Sequence, residues 1–484
     1  MKQFTINERK RTHFPHYWEM CVGSCHGYTA LREDYRRQLK KAHQELGFQY
    51  VRFHGLFNDD MCVCVERKEH TGKIIGIEYN FFNIDSIFDY LLSIGMKPFI
   101  EIGFMPTCLA SGEETCFHYK GNITPPKDYD LWNDFIKAFT EHLIERYGLE
   151  EVQQWFFEIW NEPNLAFFFV GTQKQYFELY ENTVRTIKSV SETLKVGGPA
   201  TSINAWIPEM ITFCESRNVP LDFVSTHHYP TDDPLWKNSD LSVEDFFKTM
   251  GNEFGKYERG IIQKMTAKTK QQAGNYPLCY TEWNTSGMAG DWRHDECYAA
   301  SMIAKILADN DGLVDGYSYW TFTDIFEEAA QLKGAFHGGF GLQTVYGVEK
   351  PAYRIFELFH GMGNERYEVT DNGEKGNCEV IATKTDRGMR LIIHNHNTPD
   401  GEIYDEQVKI MLAGFDKPEK ITVYKIDERN CNPKRTWEKM GSPEYLKAEQ
   451  IQKLSQVSKL MAEEWDKELI FTVPGYGVVA VDIR

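Results

Sequence analysis

Two glutamates, Glu162 and Glu282, each close a short apolar run. Glu162 follows Trp155-Phe156-Phe157-Glu158-Ile159-Trp160-Asn161 and is succeeded by Pro163 and Asn164, and Glu282 sits in Cys279-Tyr280-Thr281-Glu282-Trp283-Asn284. Two carboxyl groups brought to one place, one protonated and one ionised, are what two-carboxylate cleavage of a glycosidic bond requires. Burial and a neighbouring charge raise the pKa of a proton donor, whereas hydrogen bonds hold its partner as an anion. Taken singly, each glutamate reads equally well as an exposed loop residue; the strand-end setting of both favours the pair.

A scaffold must bring them together. Between residues 20 and 361 short β-rich runs alternate with helical periodicity, as expected of βα units around a parallel sheet. Eight units fit, with strands expected at 21–25, 48–54, 97–102, 155–160, 195–200, 223–227, 278–283 and 316–321. Eight such strands close a (β/α)8 TIM barrel, whose strand C-termini share one mouth. The glutamates then end the fourth and seventh strands and face one another across it. Between the strands, Tyr35, Leu39, Ala42 and Leu46 share a helix face with Gly47 as C-terminal cap, and Ile84, Ile87, Phe88, Leu91 and Leu92 share another behind Asn83 as N-cap. Further helices are expected from Asp128, near Gln173 and Asn204, from Ser242, near His294 and from Pro351.

Beyond Gly361 the pattern becomes alternating segments separated by Asn, Gly and Asp turns, such as 378–382, 390–394 and 421–425, which reads as an accessory β-sandwich. A polar amphipathic helix at about 443–465 interrupts it before a last strand at 469–483. Its surplus charge reads as a solvated face rather than a subunit-contacting arm. The expected division is a catalytic barrel at 14–350 and a sandwich formed by 1–13 plus 351–484.

Composition narrows the partners. Among 484 residues, 71 acidic side chains outnumber 53 Lys plus Arg for a net charge of −18, which disfavours nucleic acid and anionic membrane surfaces. Aromatic residues reach 14%, suiting both a large core and a sugar cleft. The 11 cysteines lack zinc-site spacing and read as free thiols in a reducing compartment. No stretch is long and apolar enough to span a bilayer and the N-terminus has no apolar core of a signal peptide, so a cytoplasmic chain is expected.

Other polar residues admit structural readings. Arg52, Glu101 and Glu158 lie inside strands, where a satisfied polar network is favoured over catalysis because lone buried charges cost too much. Asp59 and Asp60 suit a turn. His227 and His228 are adjacent, so strand alternation sends only one of them inward. Tyr229 stands where it could donate to Glu282, and the strand-end position of Trp320 favours a sugar platform.

Asn161-Glu162-Pro163-Asn164 together with Glu282 resembles the clan A retaining glycosidases. Val51-Arg52-Phe53-His54-Gly55 with Asp59-Asp60-Met61, and Tyr319-Trp320-Thr321-Phe322-Thr323-Asp324-Ile325-Phe326-Glu327-Glu328 with Phe336-His337-Gly338-Gly339-Phe340-Gly341-Leu342, resemble the β-xylosidases of glycoside hydrolase family 39. The resemblance implies Glu162 as acid/base, Glu282 as nucleophile, and Asn161 on the sugar 2-hydroxyl. It also implies His54, Phe117, His228, Tyr229, Trp320, Glu327 and Glu328 as substrate-binding residues. Phe167-Phe168-Phe169 departs from the pattern, where a Trp is expected. Family members of this kind use no metal or cofactor, recruit the first N-terminal strand (Phe4 to Ile6 here) into the sandwich, and are often homotetramers.

Xylose lacks a C6 group, so its site need only wall off that space and hydrogen-bond hydroxyls, for which Glu327 or Glu328 is suited. An α-L-iduronidase would need a cation for the substrate carboxylate, and the Phe326-Glu327-Glu328-Ala329 loop offers none. The expectation is a retaining, exo-acting β-xylosidase of short xylo-oligosaccharides, with a role in xylan degradation. Its rivals are another clan A enzyme (α-L-arabinofuranosidase, β-glucosidase or α-L-iduronidase) and a non-catalytic sugar-binding barrel.

Overall fold

The computed structural model describes residues 1–237, 256–328 and 333–484. Eight strands form a closed barrel, in chain order Cys21–His26, Tyr50–His54, Lys97–Ile102, Phe156–Ile159, Lys195–Thr201, Phe223–His228, Leu278–Trp283 and Gly316–Tyr319. All neighbours are parallel, and Tyr319 pairs with Val22 to shut the ring. The strands are apolar on both faces because both are covered. One face sends Cys21, Phe99, Phe223 and Cys279 into a small interior plug, and the other packs beneath the helices.

The helices follow from their local signals. Glu33–Leu46 ends at Gly47, whose φ of 80° needs a residue without a Cβ. Asp128 caps Tyr129–Tyr147 by accepting from Asp130 N, and Thr172 with Gln175 forms a capping box on Gln173–Val190. Pro351 opens Pro351–His360. The second helix corrects the expectation: it starts at Phe82, Asn80 accepts from the Phe82 N–H, and Asn83 instead donates to Met61 O. The helices expected near Asn204 and His294 run Ile207–Arg217 and Cys297–Asp309, each a few residues later. The helix expected from Ser242 lies outside the described residues. Ile261–Ala273, which precedes the seventh strand, and a hairpin of Cys64–Lys68 with Ile74–Tyr79 had no counterpart in the sequence reading.

The accessory unit is a nine-stranded sheet. The N-terminal strand Lys2–His13 inserts between Glu365–Asp371, antiparallel, and Glu406–Ala413, parallel. Strands from both ends of the hydrogen-bonded order bury Phe4, Ile6, Ile393, Val408, Val423, Phe471 and Val481 in one cluster, so the sheet curls over itself into two layers. The helix expected at about 443–465 is the shorter Ala448–Val457, followed by a short strand at Glu463–Glu464, and a further helix, Pro433–Lys439, precedes it without a counterpart in the sequence reading. Trp437 and Leu454 cover Ala335, Phe336 and Val348. The expected last strand is two, Ile470–Val473 and Val478–Ile483, parted at Pro474-Gly475. Helix Pro351–His360 packs on the barrel, with Phe356 against Phe48 and Phe359 against Trp18, so we draw the accessory unit from about 361 rather than 351. Among the described residues no helix is long and apolar enough to cross a membrane.

Candidate active site

The floor of the barrel mouth is built on Arg52, fully buried in the second strand. Its Nε donates to Glu158 at 2.5 Å, Nη1 to Glu282 at 2.8 Å, and Nη2 to Asn161 Oδ1 at 3.0 Å with Glu101 at 2.9 Å. Glu101 also takes His54 Nδ1 at 2.7 Å. A buried guanidinium is tolerable only with its donors matched in this way. The network expected from Arg52, Glu101 and Glu158 is therefore present, and it reaches one of the two candidate glutamates directly.

After the fourth strand the chain turns through two left-handed residues, Trp160 at φ 71° and Glu162 at φ 43°. For non-glycine residues each costs about 1–2 kcal/mol. The turn is held by Glu162 N donating to Ala200 O, Trp160 Nε1 to Phe168 O, and a reciprocal clamp between Asn164 and the Ser202 backbone. It aims the Glu162 carboxyl at the mouth. Glu282 meets it there, with Oε1 on Arg52 and Oε2 receiving the Tyr229 hydroxyl at 2.9 Å. One oxygen of each glutamate and a ring nitrogen of His227 all lie within 4.8 Å of one another. His227 Nδ1 is 2.8 Å from Glu162 Oε1 and 3.7 Å from Glu282 Oε2.

Hydrogen-bond bookkeeping places the proton of the pair. Thr281 donates its hydroxyl to Glu158 at 2.7 Å, so its oxygen is left to accept, and His227 Nε2 lies 3.0 Å from it. Burial, then the charges of Arg52 and His54, hold the His227 pKa well below its ordinary value, so the ring is neutral. A neutral imidazole whose Nε2 carries the hydrogen has a bare Nδ1, which can accept a hydrogen bond from a protonated Glu162 carboxyl. Burial first, then the charges of Glu282 and Asp232, push the Glu162 carboxyl well above the usual range. Burial also raises Glu282, but Arg52, His54 and the Tyr229 hydrogen bond oppose it. Both carboxyls are thus raised, Glu162 the further, and the opposing charges and hydrogen bond fall on Glu282.

The rest of the cavity divides about these two. On one side stand His54, Phe117, Trp320, Phe340 and Glu328, with the His54 and Trp320 rings 4.8 Å apart and His54 Nε2 3.7 Å from Glu328. Burial pushes Glu328 up to about 8, with His54 opposing. On the other lie Leu165, Phe167, Ser202, Thr231, Asp232 and Met288. Asn161 sits below, its Nδ2 buried and, among the described residues, without a hydrogen-bond partner.

Two expected site residues face elsewhere. His228 stacks on Tyr280 with centroids 3.8 Å apart and reaches the Tyr317 hydroxyl at 2.7 Å, in the layer between strands and helices. The strand's pleat turns His227 inward in its place. Glu327 pairs with Arg32 at 3.3 Å outside the cavity, because consecutive residues of an extended loop point apart. Asp59 and Asp60 act locally, Asp59 accepting Thr107 N and Asp60 pairing with His26. The sequence reading missed Asp232, Thr231 and Met288; they lie on irregular segments beyond the sixth and seventh strands, where no periodicity marks a direction.

The family model described as "Glycosyl hydrolases family 39" matches residues 3–467. The chain belongs to glycosyl hydrolase family 39. This family 39 member is a glycoside hydrolase, with an oligosaccharide as its class of substrate. It is 47% identical to a protein of Caldicellulosiruptor saccharolyticus named "Beta-xylosidase", over 100% of this chain and 98% of that one. A second "Beta-xylosidase", of Geobacillus stearothermophilus, is 37% identical over 94% and 88%. Among solved structures, a monomeric beta-xylosidase of Caulobacter crescentus CB15 superposes with a TM-score of 0.85 at 30% identity, covering 100% of this chain and 99% of its own.

The Glu162, His227 and Glu282 trio converges closely enough to invite comparison with a cation site. Its donors are committed otherwise: both Glu282 oxygens receive protein hydrogens, and Arg52 supplies the positive charge. A second such trio, His16, Glu19 and His360, lies away from the mouth, where Glu19 Oε1 receives both imidazoles and ties helix Pro351–His360 to the barrel.

Proposed function

We propose that this family 39 chain is a retaining, exo-acting β-xylosidase that releases terminal xylose from short β-linked xylo-oligosaccharides. The observation that carries the reading is the approach of Glu162 to Glu282 within 4.8 Å, oxygen to oxygen, with Arg52 and Tyr229 bonded to Glu282 alone. Carboxyls about 5–5.5 Å apart suit double displacement, while inversion needs about 6.5–9.5 Å to admit water. Glu282 attacks the anomeric carbon as Glu162 protonates the departing oxygen, and Glu162 then takes a proton from the water that frees the sugar. Tyr229 and Arg52 hold Glu282 as an anion until attack. The free Nδ2 of Asn161 is a donor for the sugar 2-hydroxyl.

Charge supports a neutral glycone. Among the described residues no Lys or Arg lines the cavity, and a uronate would meet Glu162, Glu282, Glu328 and Asp232. The names of the two similar curated proteins favour xylose. A panel of 4-nitrophenyl glycosides tests this: the β-D-xyloside should give the highest kcat/KM, and a preferred arabinofuranoside, glucoside or iduronide would overturn the sugar assignment. The family resemblance also carries a cytoplasmic homotetramer, against which stands the Caulobacter relative described as monomeric.

The protonation states fix a pH profile. Activity requires Glu282 ionised and Glu162 protonated, so kcat/KM falls at low pH as Glu282 gains its proton and at high pH as Glu162 loses its own. Because Glu162 is raised well above the ordinary value, the alkaline limb lies far above pH 4.5. Glu162→Gln should abolish that limb and lower kcat/KM by about 10²- to 10⁴-fold for a poor leaving group. It should change kcat/KM little for a 2,4-dinitrophenyl xyloside, which needs no proton. An alkaline limb surviving in the variant would show that another group is the acid.

A further inference from the structure

The cavity holds two carboxyls besides the pair, the half-buried Glu328 and the buried Asp232. Glu328 belongs with His54 and Glu282, on the side of the sugar that would be attacked. Asp232 belongs with Glu162, whose carboxyl its charge reaches, and hence with the side where the departing oxygen takes its proton. Asp232 is 7% exposed, in the short 3-10 turn Pro230–Asp232 that follows the sixth strand. Its Oδ2 accepts the Tyr229 N–H at 2.8 Å, which fixes the side chain, and among the described residues no protein donor reaches Oδ1. Around it the wall is small or apolar: Ser202, Thr231, Gly287, Met288, Leu165 and the 43%-exposed Phe167. The Thr231 hydroxyl accepts Gly287 N, so the two segments that carry this wall are tied together. A fixed carboxylate oxygen with a free lone pair, beside a ring-sized apolar face, is the chemistry that holds a sugar hydroxyl.

We propose that Asp232 is a specificity-determining residue for the leaving sugar, its Oδ1 accepting a hydrogen bond from a hydroxyl of the sugar whose departing oxygen Glu162 protonates. The proposal rests on the β-xylosidase reading above. It gives the enzyme a preference for a hydroxylated sugar over an aryl group as leaving group, independently of the sugar that is attacked. Burial raises Asp232 to about 7, in keeping with a carboxyl whose charge is satisfied only when a donor arrives.

The test compares two leaving groups on one glycone. Asp232→Asn keeps an oxygen for the Tyr229 N–H and presents a donor where an acceptor stood. Because the Asp232 charge also bears on Glu162, each substrate is read at the top of its own pH profile, where kcat/KM for xylobiose should fall about 10- to 100-fold further than that for 4-nitrophenyl β-D-xyloside, the worth of one hydrogen bond to a charged group. A structural role would lower both alike, and that result, or no loss on xylobiose, overturns the proposal. Wild-type enzyme supplies a measurement that needs no variant. Xylobiosides lacking one hydroxyl on the leaving residue should include one that reproduces the loss, and equal rates across the series would equally overturn it. Failure of the wild type to cleave either substrate would instead remove the β-xylosidase reading, and this proposal with it.

Discussion

Glu282→Ala is expected to lower kcat by roughly 10⁵- to 10⁶-fold, the scale on which loss of a nucleophile removes covalent catalysis. The side chain is held by Arg52, which is no nucleophile, and by Tyr229, whose phenol burial keeps protonated and so poorly nucleophilic. Truncation leaves a space beneath the anomeric carbon bounded by the Arg52 guanidinium, which suits a small anion. Azide should therefore restore turnover of an activated aryl xyloside and give the α-xylosyl azide, since attack from the vacated face inverts the centre. Wild-type turnover in the variant, or a β-azide, would refute the assignment. Arg52→Ala is the wrong control here, because it disturbs four partners at once.

That breadth makes Arg52→Met the second large effect, on stability as well as rate. Glu101, Glu158 and Glu282 would be left as three buried carboxyls with only His54 beside two of them, and removing one partner of a buried pair costs about 3–5 kcal/mol. Without Arg52, which opposes the rise that burial imposes on Glu282, that carboxyl's folded-state pKa climbs further above its unfolded value. A group raised in this way contributes stability below its unfolded pKa and loses it as pH rises, so the variant should lose least near pH 5 and most near pH 8. Thermal melts across that range check it. A pH-independent deficit, or melting at the wild-type temperature, would mean the network is not held by this cation. Activity should fall with stability at neutral pH, because Glu282 would no longer be kept ionised.

The sequence made the barrel legible because each strand is a short apolar run followed by a periodic helix, and chain order alone puts the ends of the fourth and seventh strands in one mouth. Glu162 and Glu282 were found this way. Direction around the strand was harder. His227 and His228 differ only in which way the pleat turns them, and the register of the sixth strand slips against the seventh between Thr226 and His227. The parity becomes visible only once Phe223 is seen in the interior plug, which sends residues 223, 225 and 227 inward. Glu327 and Glu328 posed the same problem in a loop, where Arg32, distant in sequence, captures the first of them. The helix expected at about 443–465 in the accessory unit is confined to Ala448–Val457. Asp232 was illegible for a different reason. Nothing in Tyr229-Pro230-Thr231-Asp232 sets it apart from an ordinary turn aspartate until Glu162 is seen beside it.

The central claim is that Glu282 forms a covalent bond to the sugar while Glu162 manages the proton. Incubation with 2,4-dinitrophenyl 2-deoxy-2-fluoro-β-D-xyloside, followed by proteolysis and mass spectrometry, tests it most directly. The fluorine slows hydrolysis of the intermediate, so a single fluoroxylosyl adduct should accumulate on the peptide bearing Glu282 and nowhere else. An adduct on Glu162 or another residue, or continued turnover with no adduct and inversion at the anomeric carbon, would contradict the account.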